Sequence, residues 1–268
     1  MALPEPSDSA TALITGASAG IGEAIARELA RRGHGVTLVA RREERLRSLA
    51  AELSDRFGVR AEVLAVDLGD DAARGDLPRR ISELGLDVEI LVNNAGFGGG
   101  QDFARTDRER VVSMVEVNCL ALLDLQAVYL PQMVERGRGA IINIASTAAF
   151  QPLPGAATYG ATKAFVLSLS EAVHEELKGT GVTVTAICPG PVKTEFPEAA
   201  GLEGAETQVP GILWMSAESV AKQAVNAAAD GKRAIIPGLL NRAGAVTGQH
   251  APRMLALPIA KRVWRRAL

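Results

Sequence analysis

The chain has 268 residues, of which 47% are hydrophobic and 22% are charged, so it carries enough apolar material for one large folded domain, which excludes disorder as the default. Its formal net charge of -2 gives no overall electrostatic reason to bind nucleic acid. It starts without a basic segment followed by an apolar run, and no later stretch stays uncharged and apolar long enough to cross a bilayer, so we expect a cytoplasmic protein.

Short apolar segments alternate with longer helical patterns along most of the chain. The apolar segments are rich in Val, Ile or Leu without strict alternation, and they predict strands covered on both faces at residues 11–15, 36–40, 61–66, 90–93, 140–145, 182–187 and 234–236. Helical patterns lie between them, several ended by glycine, at residues 21–32, 43–57, 71–84, 107–134, 156–178 and 218–229. This order predicts an α/β fold of the Rossmann-like, doubly wound type, with a mostly parallel sheet of about seven strands and helices on both faces.

No repeat or low-complexity segment divides the chain, so we expect a single dinucleotide-binding domain at residues 1–268. Long irregular stretches are expected at residues 97–105, 147–155, 189–215 and after residue 238. In a compact α/β domain such loops usually form the site. We therefore expect a substrate lid at about residues 189–215, followed by a basic C-terminal extension at residues 238–268.

The two cysteines, Cys119 and Cys188, lie in apolar or strand-like contexts and lack the close spacing of a metal knuckle or a redox pair. The three histidines are scattered, and none pairs in sequence with a nearby carboxylate or cysteine. We therefore expect two buried thiols and no metal site.

The first predicted strand runs directly into a glycine-rich turn and then a helix. Gly16, Gly20 and Gly22 have the spacing Gly-x-x-x-Gly-x-Gly, and Ser18 and Ile21 complete the turn. Glycine permits a tight turn and lets backbone N–H groups approach a pyrophosphate, whose negative charge is held at the helix N-terminus. Alone, such a turn is weak evidence for a dinucleotide site.

With this turn the chain resembles the short-chain dehydrogenase/reductase family, whose glycine motif reads Thr-Gly-x-x-x-Gly-x-Gly. The other matching residues, in the family's order, are Asp67, Asn93-Asn94-Ala95-Gly96, Asn118, Ser146, Tyr159-x-x-x-Lys163 and Pro189-Gly190-Pro191-Val192-Lys193-Thr194. The joint order of these motifs is far more specific than any one of them.

The resemblance implies a cofactor role for several of these residues. Asp67 would face the adenine, and Asn94 would steady the central sheet near the cofactor. Val192 and Thr194 would face the nicotinamide carboxamide. The remaining motif residues that the resemblance places at the cofactor are Gly16, Ser18, Gly20, Ile21, Gly22, Ala95, Gly96, Tyr159, Lys163, Pro189 and Gly190.

A tyrosine and a lysine lie four residues apart in the helical pattern after Gly155. Residues at i and i+4 share one helix face, so the ammonium of Lys163 can lie beside the phenol of Tyr159. Carbonyl reduction by hydride creates an alkoxide that must be protonated, and the reverse reaction must remove the alcohol proton. A free tyrosine has a pKa of about 10, so we expect Lys163, together with the charge on an oxidised nicotinamide, to lower the pKa of Tyr159, the general acid/base. By the resemblance, Lys163 also holds the nicotinamide ribose.

Ser146 and Asn118 complete the catalytic set. We expect the hydroxyl of Ser146 to donate a hydrogen bond to the substrate oxygen as negative charge builds there, the alternative being a turn residue at a strand end. By the resemblance alone, Asn118 would hold a water molecule that connects Lys163 to solvent. The alternative for Asn118 is a buried amide tied to the backbone.

The end of the second predicted strand bears on the choice of cofactor. It carries Ala40, where an enzyme specific for NAD would place an acid for the ribose hydroxyls. Arg41 can grip a 2′-phosphate with a planar fork of donors, and Arg42 can assist. The alternative is a surface run, residues 41–45, whose charges pair among themselves. We expect NADP(H) to be preferred, with some use of NAD(H), because Ala19 lacks the extra basic residue of many NADP-preferring relatives.

Apolar side chains are frequent in the loops expected around the nicotinamide. They are Phe97, Phe150, Leu153, Phe196, Val209, Ile212, Leu213 and Trp214. They favour an apolar, fairly bulky small-molecule substrate over a small charged acid, although the same residues can pack a lid. The expected reaction is hydride transfer between NADP(H) and an alcohol or ketone, as in a ketone or 3-oxoacyl-type reductase.

Two other functions compete with this one. A non-catalytic NADP(H)-binding sensor or regulator would keep the three glycines of the turn. It would not need Tyr159, Lys163 and Ser146. An enoyl reductase would resemble relatives that place the tyrosine and lysine farther apart. The observed spacing favours carbonyl chemistry.

The C-terminal part of the chain is strongly basic. Residues 231–268 hold eight basic and no acidic residues, which leaves 21 basic residues against 31 acidic ones elsewhere. Residues 254–268 combine apolar side chains, a tryptophan and four cations, a composition that suits an anionic membrane surface. We expect packing against this domain or a neighbouring subunit more than membrane contact, because apolar residues are more often buried in protein. The resemblance implies a homodimer or homotetramer.

Overall fold

Seven parallel strands form the central sheet of the computed structural model, which describes residues 3–196, 209–254, 257–258 and 260–261. In chain order the strands are β1 (Ala10–Thr15), β2 (Val36–Ala40), β3 (Ala61–Ala65), β4 (Asp87–Asn93), β5 (Gly139–Ile144), β6 (Val182–Ile187), β7 (Val192–Lys193), β8 (Met215–Ser216) and β9 (Ala234–Ile235). The large sheet has the order β3-β2-β1-β4-β5-β6-β9, and each neighbouring pair is parallel. β7 and β8 form a separate parallel pair. The predicted sheet is confirmed.

The helices cover the sequence between the strands. In chain order they are α1 (Gly20–Arg31), α2 (Glu43–Phe57), α3 (Asp71–Glu83), α4 (Arg108–Val115), α5 (Ala121–Arg136), α6 (Ala157–Glu176), α7 (Ala217–Ala229) and α8 (Leu239–His250). A π-helical turn, Glu116–Leu120, joins α4 to α5, and short 3₁₀ turns lie at Phe103–Arg105, Thr147–Phe150 and Gly211–Leu213. The six predicted helical segments are all present, with their ends displaced by at most two residues.

Each face of the sheet has its own apolar core. On one face, side chains of α1, α2 and α7 pack against strand residues such as Ile14 and Val92. On the other face, side chains of α3 and α5 pack against residues such as Leu13 and Leu91. Neighbouring strand residues therefore enter opposite cores, which explains why the strand segments are apolar without alternation. This confirms the predicted helices on both faces.

Helix α8 corrects the expectation of irregular chain after residue 238. It begins after Gly238, which has a positive φ of 84°. Gly244 and Gly248 lie inside the helix and lower its intrinsic propensity. Its exposed side carries Leu239 and Val246. The helix therefore lacks the buried apolar stripe opposite a polar outer face by which a surface helix is recognised.

Cys119 and Cys188 are both buried and unpaired, as predicted. Among the described residues, no group of three or more His, Cys, Asp or Glu side chains is placed to hold a metal ion.

The helical run Arg108–Arg136 is long and apolar enough, by length and composition, to cross a membrane. The run is not the uncharged stretch that the sequence analysis excluded, because it carries Glu116 and Asp124. Its inner side belongs to the sheet core, because Leu125, Tyr129 and Met133 are buried there. We therefore interpret the run as packed helices of the α/β fold.

Tyr129, one of the two tyrosines, has a buried hydroxyl that makes no hydrogen bond within the described part of the chain. A buried polar group without a partner costs about 1–3 kcal/mol. We therefore expect Tyr129→Phe to raise the free energy of unfolding by about 1 kcal/mol, measured by urea denaturation. A lower free energy of unfolding in this variant would show that the hydroxyl is satisfied.

Candidate active site

The carboxyl ends of β1 and β4 meet where the order of the sheet reverses. Loops that leave two such strands on opposite sides open a crevice, the usual ligand site of these sheets. Thr15, at the end of β1, holds both loops. Its hydroxyl donates to the carbonyl of Val92 at 3.1 Å and accepts from the backbone N–H groups of Asn94 and Ala95 at 2.9 and 3.0 Å. The glycine turn and the Asn-Asn-Ala-Gly motif therefore lie side by side.

Two glycines of the turn adopt left-handed backbone conformations, with φ of 65° at Gly16 and 62° at Gly20. A Cβ at Gly16 would lie 2.7 Å from the side-chain nitrogen of Asn94, and one at Gly20 would lie 3.0 Å from Cγ2 of Thr194. The amide of Asn94 donates to the carbonyls of Thr15 and Gly16 at 2.9 and 3.2 Å. Asn94, directly after β4, thus holds the turn, and the turn requires glycine at positions 16 and 20.

The N-terminus of α1 opens directly from this turn. Its N-cap residue is Ala19, whose side chain cannot accept a hydrogen bond from the first N–H groups of the helix. A Cβ at Gly22 would fill the space beside Asn94 and the carbonyl of Gly16. An uncapped helix N-terminus that includes Ile21, approached through a turn without side chains, fits the pyrophosphate of a dinucleotide.

An arginine pair lies beside the turn at the start of α2. Arg42 donates from Nε to the hydroxyl of Ser18 at 3.1 Å and from Nη1 to a carboxylate oxygen of Glu195 at 2.7 Å. Arg45 donates to the other carboxylate oxygen of Glu195 at 2.6 Å. Arg42 therefore connects the glycine turn to the segment that follows β7.

Arg45 and Glu195 are residues of this site that the sequence analysis missed. Hydrogen bonds from Arg42 and Arg45 lower the pKa of the Glu195 carboxyl, because they favour its charged form. The three-residue spacing of the arginines places both on one face of α2, a signal present in the sequence. Glu195 gave no such signal, because Arg45 lies 150 residues away along the chain.

Arg41 and Asp67 lie at the outer end of the crevice, after the neighbouring strands β2 and β3. Their side chains are 78% and 54% exposed, and their charged groups are 3.8 Å apart. Asp67 also accepts a hydrogen bond from the backbone N–H of Gly69 at 3.0 Å. Both groups can therefore be reached from solvent, and their roles toward the 2′-phosphate and the adenine stay predictions.

The four residues predicted for catalysis lie on three segments near the same edge of the sheet. Ser146 follows β5, Tyr159 and Lys163 lie on α6, and Asn118 lies in the π-helical turn. The buried ammonium of Lys163 donates to the carbonyl of Ile144 at 2.8 Å and lies 5.8 Å from the ring centre of Tyr159. The lysine is thus fixed by β5 next to the tyrosine.

Ser146 takes the turn position that was its alternative role, and its hydrogen bond to the substrate oxygen stays a prediction. Its hydroxyl accepts from the backbone N–H of Ala148 at 3.1 Å and so caps a 3₁₀ turn, and it is hydrogen-bonded to the side chain of Tyr159. The backbone N–H of Thr147 donates to the carbonyl of Pro189 at 2.9 Å, which joins this turn to the loop after β6.

Asn118 lies where a π-helical turn interrupts the helix predicted as continuous, and such turns are frequent at functional sites. Its amide oxygen accepts from the backbone N–H of Phe97 at 3.0 Å. Its amide nitrogen donates to the carbonyl of Phe97 at 2.9 Å and to the hydroxyl of Thr162 at 3.1 Å. A Cβ at Gly96 would lie 2.8 Å from the amide oxygen. These contacts match the alternative, a buried amide tied to the backbone, and the bound water stays a prediction.

Burial governs the ionisation of Tyr159 and Lys163. It lowers the pKa of Lys163 to about 8 and raises the pKa of Tyr159 above its ordinary value. The hydrogen bond from Ser146 acts in the opposite direction on Tyr159, with the smaller effect. In the chain without cofactor, desolvation therefore outweighs the Ser146 hydrogen bond, and a lowering of the Tyr159 pKa by Lys163 and oxidised nicotinamide together stays a prediction.

Apolar groups surround the phenol. The ring centre of Phe196 lies 5.7 Å from that of Tyr159. Leu153 is buried in a small cluster with Ala148 and Ala156, against which Tyr159 packs. Residues 197–208, within the predicted lid, lie outside the described part of the chain.

The loop after β6 rests on α8. Val192 is buried in β7 and pairs with Met215 of β8. A Cβ at Gly190 would lie 2.5 Å from the side-chain oxygen of Asn241, whose amide nitrogen donates to the carbonyl of Leu213 at 3.1 Å. Asn241 thus ties α8 to Leu213, near the end of the segment predicted as a lid. This residue was not predicted from the sequence, because no helix was expected there.

The sequence and the fold both have known counterparts. The model of the short chain dehydrogenase family matches residues 10–203. The very-long-chain 3-oxoacyl-CoA reductase of Anas platyrhynchos is 36% identical over 198 residues, which cover 71% of this chain and 62% of the duck protein. The chain therefore spans less than two thirds of that relative.

Two further relatives cover more of their own length. The NADP-dependent 3-hydroxy acid dehydrogenase YdfG of Salmonella typhi is 42% identical over 186 residues, 69% of this chain and 73% of that one. A solved short-chain dehydrogenase from Sphingobium yanoikuyae in complex with NADPH is 38% identical, with a TM-score of 0.79 and coverage of 89% of this chain and 92% of that chain. The chain belongs to the short-chain dehydrogenase family.

Proposed function

We propose that this chain is an NADP(H)-dependent oxidoreductase that reduces a ketone or 3-oxoacyl-type carbonyl and, in reverse, oxidises the corresponding alcohol. The observation that carries the proposal is the grouping of Tyr159, Lys163 and Ser146 at the sheet edge that also holds the glycine turn. A non-catalytic sensor would need the turn but would not need these three groups.

In this reaction, bound NADPH supplies a hydride to the carbonyl carbon. The raised pKa of Tyr159 keeps its phenol protonated near neutral pH, so the O–H can give its proton to the carbonyl oxygen. The hydroxyl of Ser146 donates a hydrogen bond to that oxygen as negative charge develops. The phenolate left behind regains a proton from solvent, and the ammonium of Lys163 favours this charged form while it lasts.

The arginines beside the glycine turn support NADP(H) as the preferred cofactor. A charge-assisted contact between arginine and phosphate contributes roughly 1.5–3 kcal/mol. We therefore expect the double variant Arg41→Ala/Arg42→Ala to lower kcat/KM for NADPH by about 10- to 100-fold and to change kcat/KM for NADH little.

Arg47→Ala is the matched control for this variant, because Arg47 is also an exposed arginine of α2 but pairs only with Glu43 among the ion pairs of the described residues. Steady-state kinetics with both cofactors decide the question. An equal loss with NADPH and NADH, or a tenfold preference of the unmodified protein for NADH, would overturn the assignment.

We propose an apolar, fairly bulky substrate. Phe196 and Leu153 flank the phenol that would meet the substrate oxygen, and such surroundings favour apolar groups beside the reacting carbonyl. The test incubates the chain with NADPH and each of a panel of aliphatic, acyl, steroid and sugar ketones. The rate of each reaction is measured by the loss of reduced-nicotinamide absorbance. We expect the highest kcat/KM with apolar ketones. Turnover of sugars alone would reject the apolar site and keep the reductase, whereas no turnover of any ketone would reject both.

We propose a cytoplasmic location.

We also propose that the chain associates with itself through the outer face of α4 to α6. That face exposes large apolar side chains, namely Val112, Val115, Leu120, Leu123, Val134 and Phe165. Exposed apolar patches mark interaction sites, and a two-fold dimer that buries one is the commonest arrangement. Light scattering of the purified chain would detect the dimer or tetramer, and a monomer at all concentrations would reject it.

A further inference from the structure

Helix α8 turns its apolar side to solvent. Leu239, Ala243 and Val246 recur at helical spacing and are all exposed, with Leu239 at 86%. The side that packs on the protein carries Asn241 and Ala245 instead. A surface helix ordinarily buries its apolar stripe. The orientation of α8 therefore leaves this stripe available to something outside the described part of the chain.

Further exposed apolar side chains lie on α8 and on the segments beside it. Leu240 is exposed on α8, and Met254 is 88% exposed just after the helix. Ile212 is 77% exposed in the 3₁₀ turn whose Leu213 is hydrogen-bonded to α8. We call Ile212, Leu239, Leu240, Val246 and Met254 the α8 patch. Isolated exposed apolar residues are ordinary, but a group of this size on neighbouring segments indicates an interaction surface.

The charged side chains of the C-terminal segment that carries most of the α8 patch are of one sign. Arg242, Arg253 and Lys261 are exposed, and residues 231–268 hold no Asp or Glu. Two copies that joined through this patch about a two-fold axis would bring like charges together, which disfavours self-association here. An anionic lipid surface matches both properties, because it accepts apolar side chains and attracts cations.

The α8 patch lies close to the catalytic segment. A Cβ at Gly248 of α8 would lie 2.6 Å from the side-chain oxygen of Gln151, which follows the 3₁₀ turn begun by Ser146. Asn241 joins α8 to the carbonyl of Leu213, in the turn before β8. A surface bound by α8 would therefore be near the loops through which a substrate reaches Tyr159.

We propose that the α8 patch docks the protein on an anionic lipid surface and so brings the active site to apolar substrates held there. The choice of substrate rests on the proposed reductase function, whereas the docking does not. The five exposed apolar side chains of the α8 patch and the nearby cations Arg242, Arg253 and Lys261 supply the contact.

The test is co-sedimentation of the full chain with phosphatidylcholine vesicles that contain about 30% phosphatidylglycerol, compared with vesicles of phosphatidylcholine alone. We expect binding to the anionic vesicles at low salt and release at high salt. Leu239→Gln/Val246→Gln should lower the vesicle partition coefficient about tenfold, and Arg242→Gln/Arg253→Gln should lower it as well. Turnover of a small water-soluble ketone should stay unchanged, because these side chains face away from the protein.

Matched controls are Phe103→Gln, an exposed apolar residue outside both the α8 patch and the α4 to α6 face, and Arg47→Gln/Arg79→Gln, two exposed arginines elsewhere. Both should bind vesicles as the unmodified chain does. Docking is rejected when the unmodified chain stays in the supernatant with anionic vesicles at low salt, or when the α8 variants bind equally well. A lower oligomeric mass of Leu239→Gln/Val246→Gln in light scattering would assign the patch to a second copy instead. Vesicle binding without turnover of any ketone would contradict the reductase function and leave the docking intact.

Discussion

Replacing Tyr159 with phenylalanine is expected to lower kcat for ketone reduction by about a thousandfold while the dissociation constant for NADPH stays within about twofold. The ring keeps its packing against Phe196 and Leu153, so only the hydroxyl is lost. That hydroxyl is the proton donor that the account assigns to the substrate oxygen. Steady-state rates and NADPH fluorescence titration measure the two quantities separately.

Tyr129→Phe is the matched control, because the chain has two tyrosines and this one lies in the sheet core away from the site. It loses the same atom and should keep full activity. If Tyr159→Phe retained more than about a tenth of the activity of the unmodified chain, the proton would have to come from another group.

Lys163→Met is expected to lower kcat/KM by about a hundredfold, and the loss should depend on pH. Burial lowers the pKa of Lys163 to about 8, so the unmodified lysine is charged at pH 7 and loses its charge as the pH rises. The positive charge favours the phenolate of Tyr159 that alcohol oxidation requires. The ratio of oxidation rates, unmodified chain over variant, should therefore be larger at about pH 7 than at about pH 9.

Lys178→Met is the control for this prediction, because Lys178 lies just after α6, is exposed, and pairs with Glu175. Thermal unfolding and NADPH affinity of Lys163→Met should be recorded alongside, since the carbonyl of Ile144 loses its donor. A rate ratio that is constant across this pH range would indicate that Lys163 acts through structure alone.

The fold was predictable because local signals and tertiary packing agree. The strands Val36–Ala40 and Val182–Ile187 lie at their predicted bounds, since each is a buried apolar run that begins directly after a glycine. Helix α8 was not predictable from the same rules. Its apolar side faces away from the domain, and Gly244 and Gly248 weaken its helical pattern.

The positions of the site residues were also predictable, because parallel strands bring the loops that follow them to one edge of the sheet. The raised pKa of Tyr159 in the chain without cofactor was not predictable, because desolvation depends on how the whole chain packs around the phenol. The pairing of Glu195 with Arg42 joins residues 153 positions apart and leaves no local pattern.

The most direct test of the account is the fate of the transferred hydride. The purified chain would be incubated with 4,4-dideuterated NADPH and the ketone of the panel that it reduces fastest, and the product alcohol analysed by mass spectrometry. We predict one deuterium on the carbinol carbon with the unmodified chain and almost no labelled alcohol with Tyr159→Phe. An alcohol formed by the unmodified chain without deuterium on that carbon would contradict it.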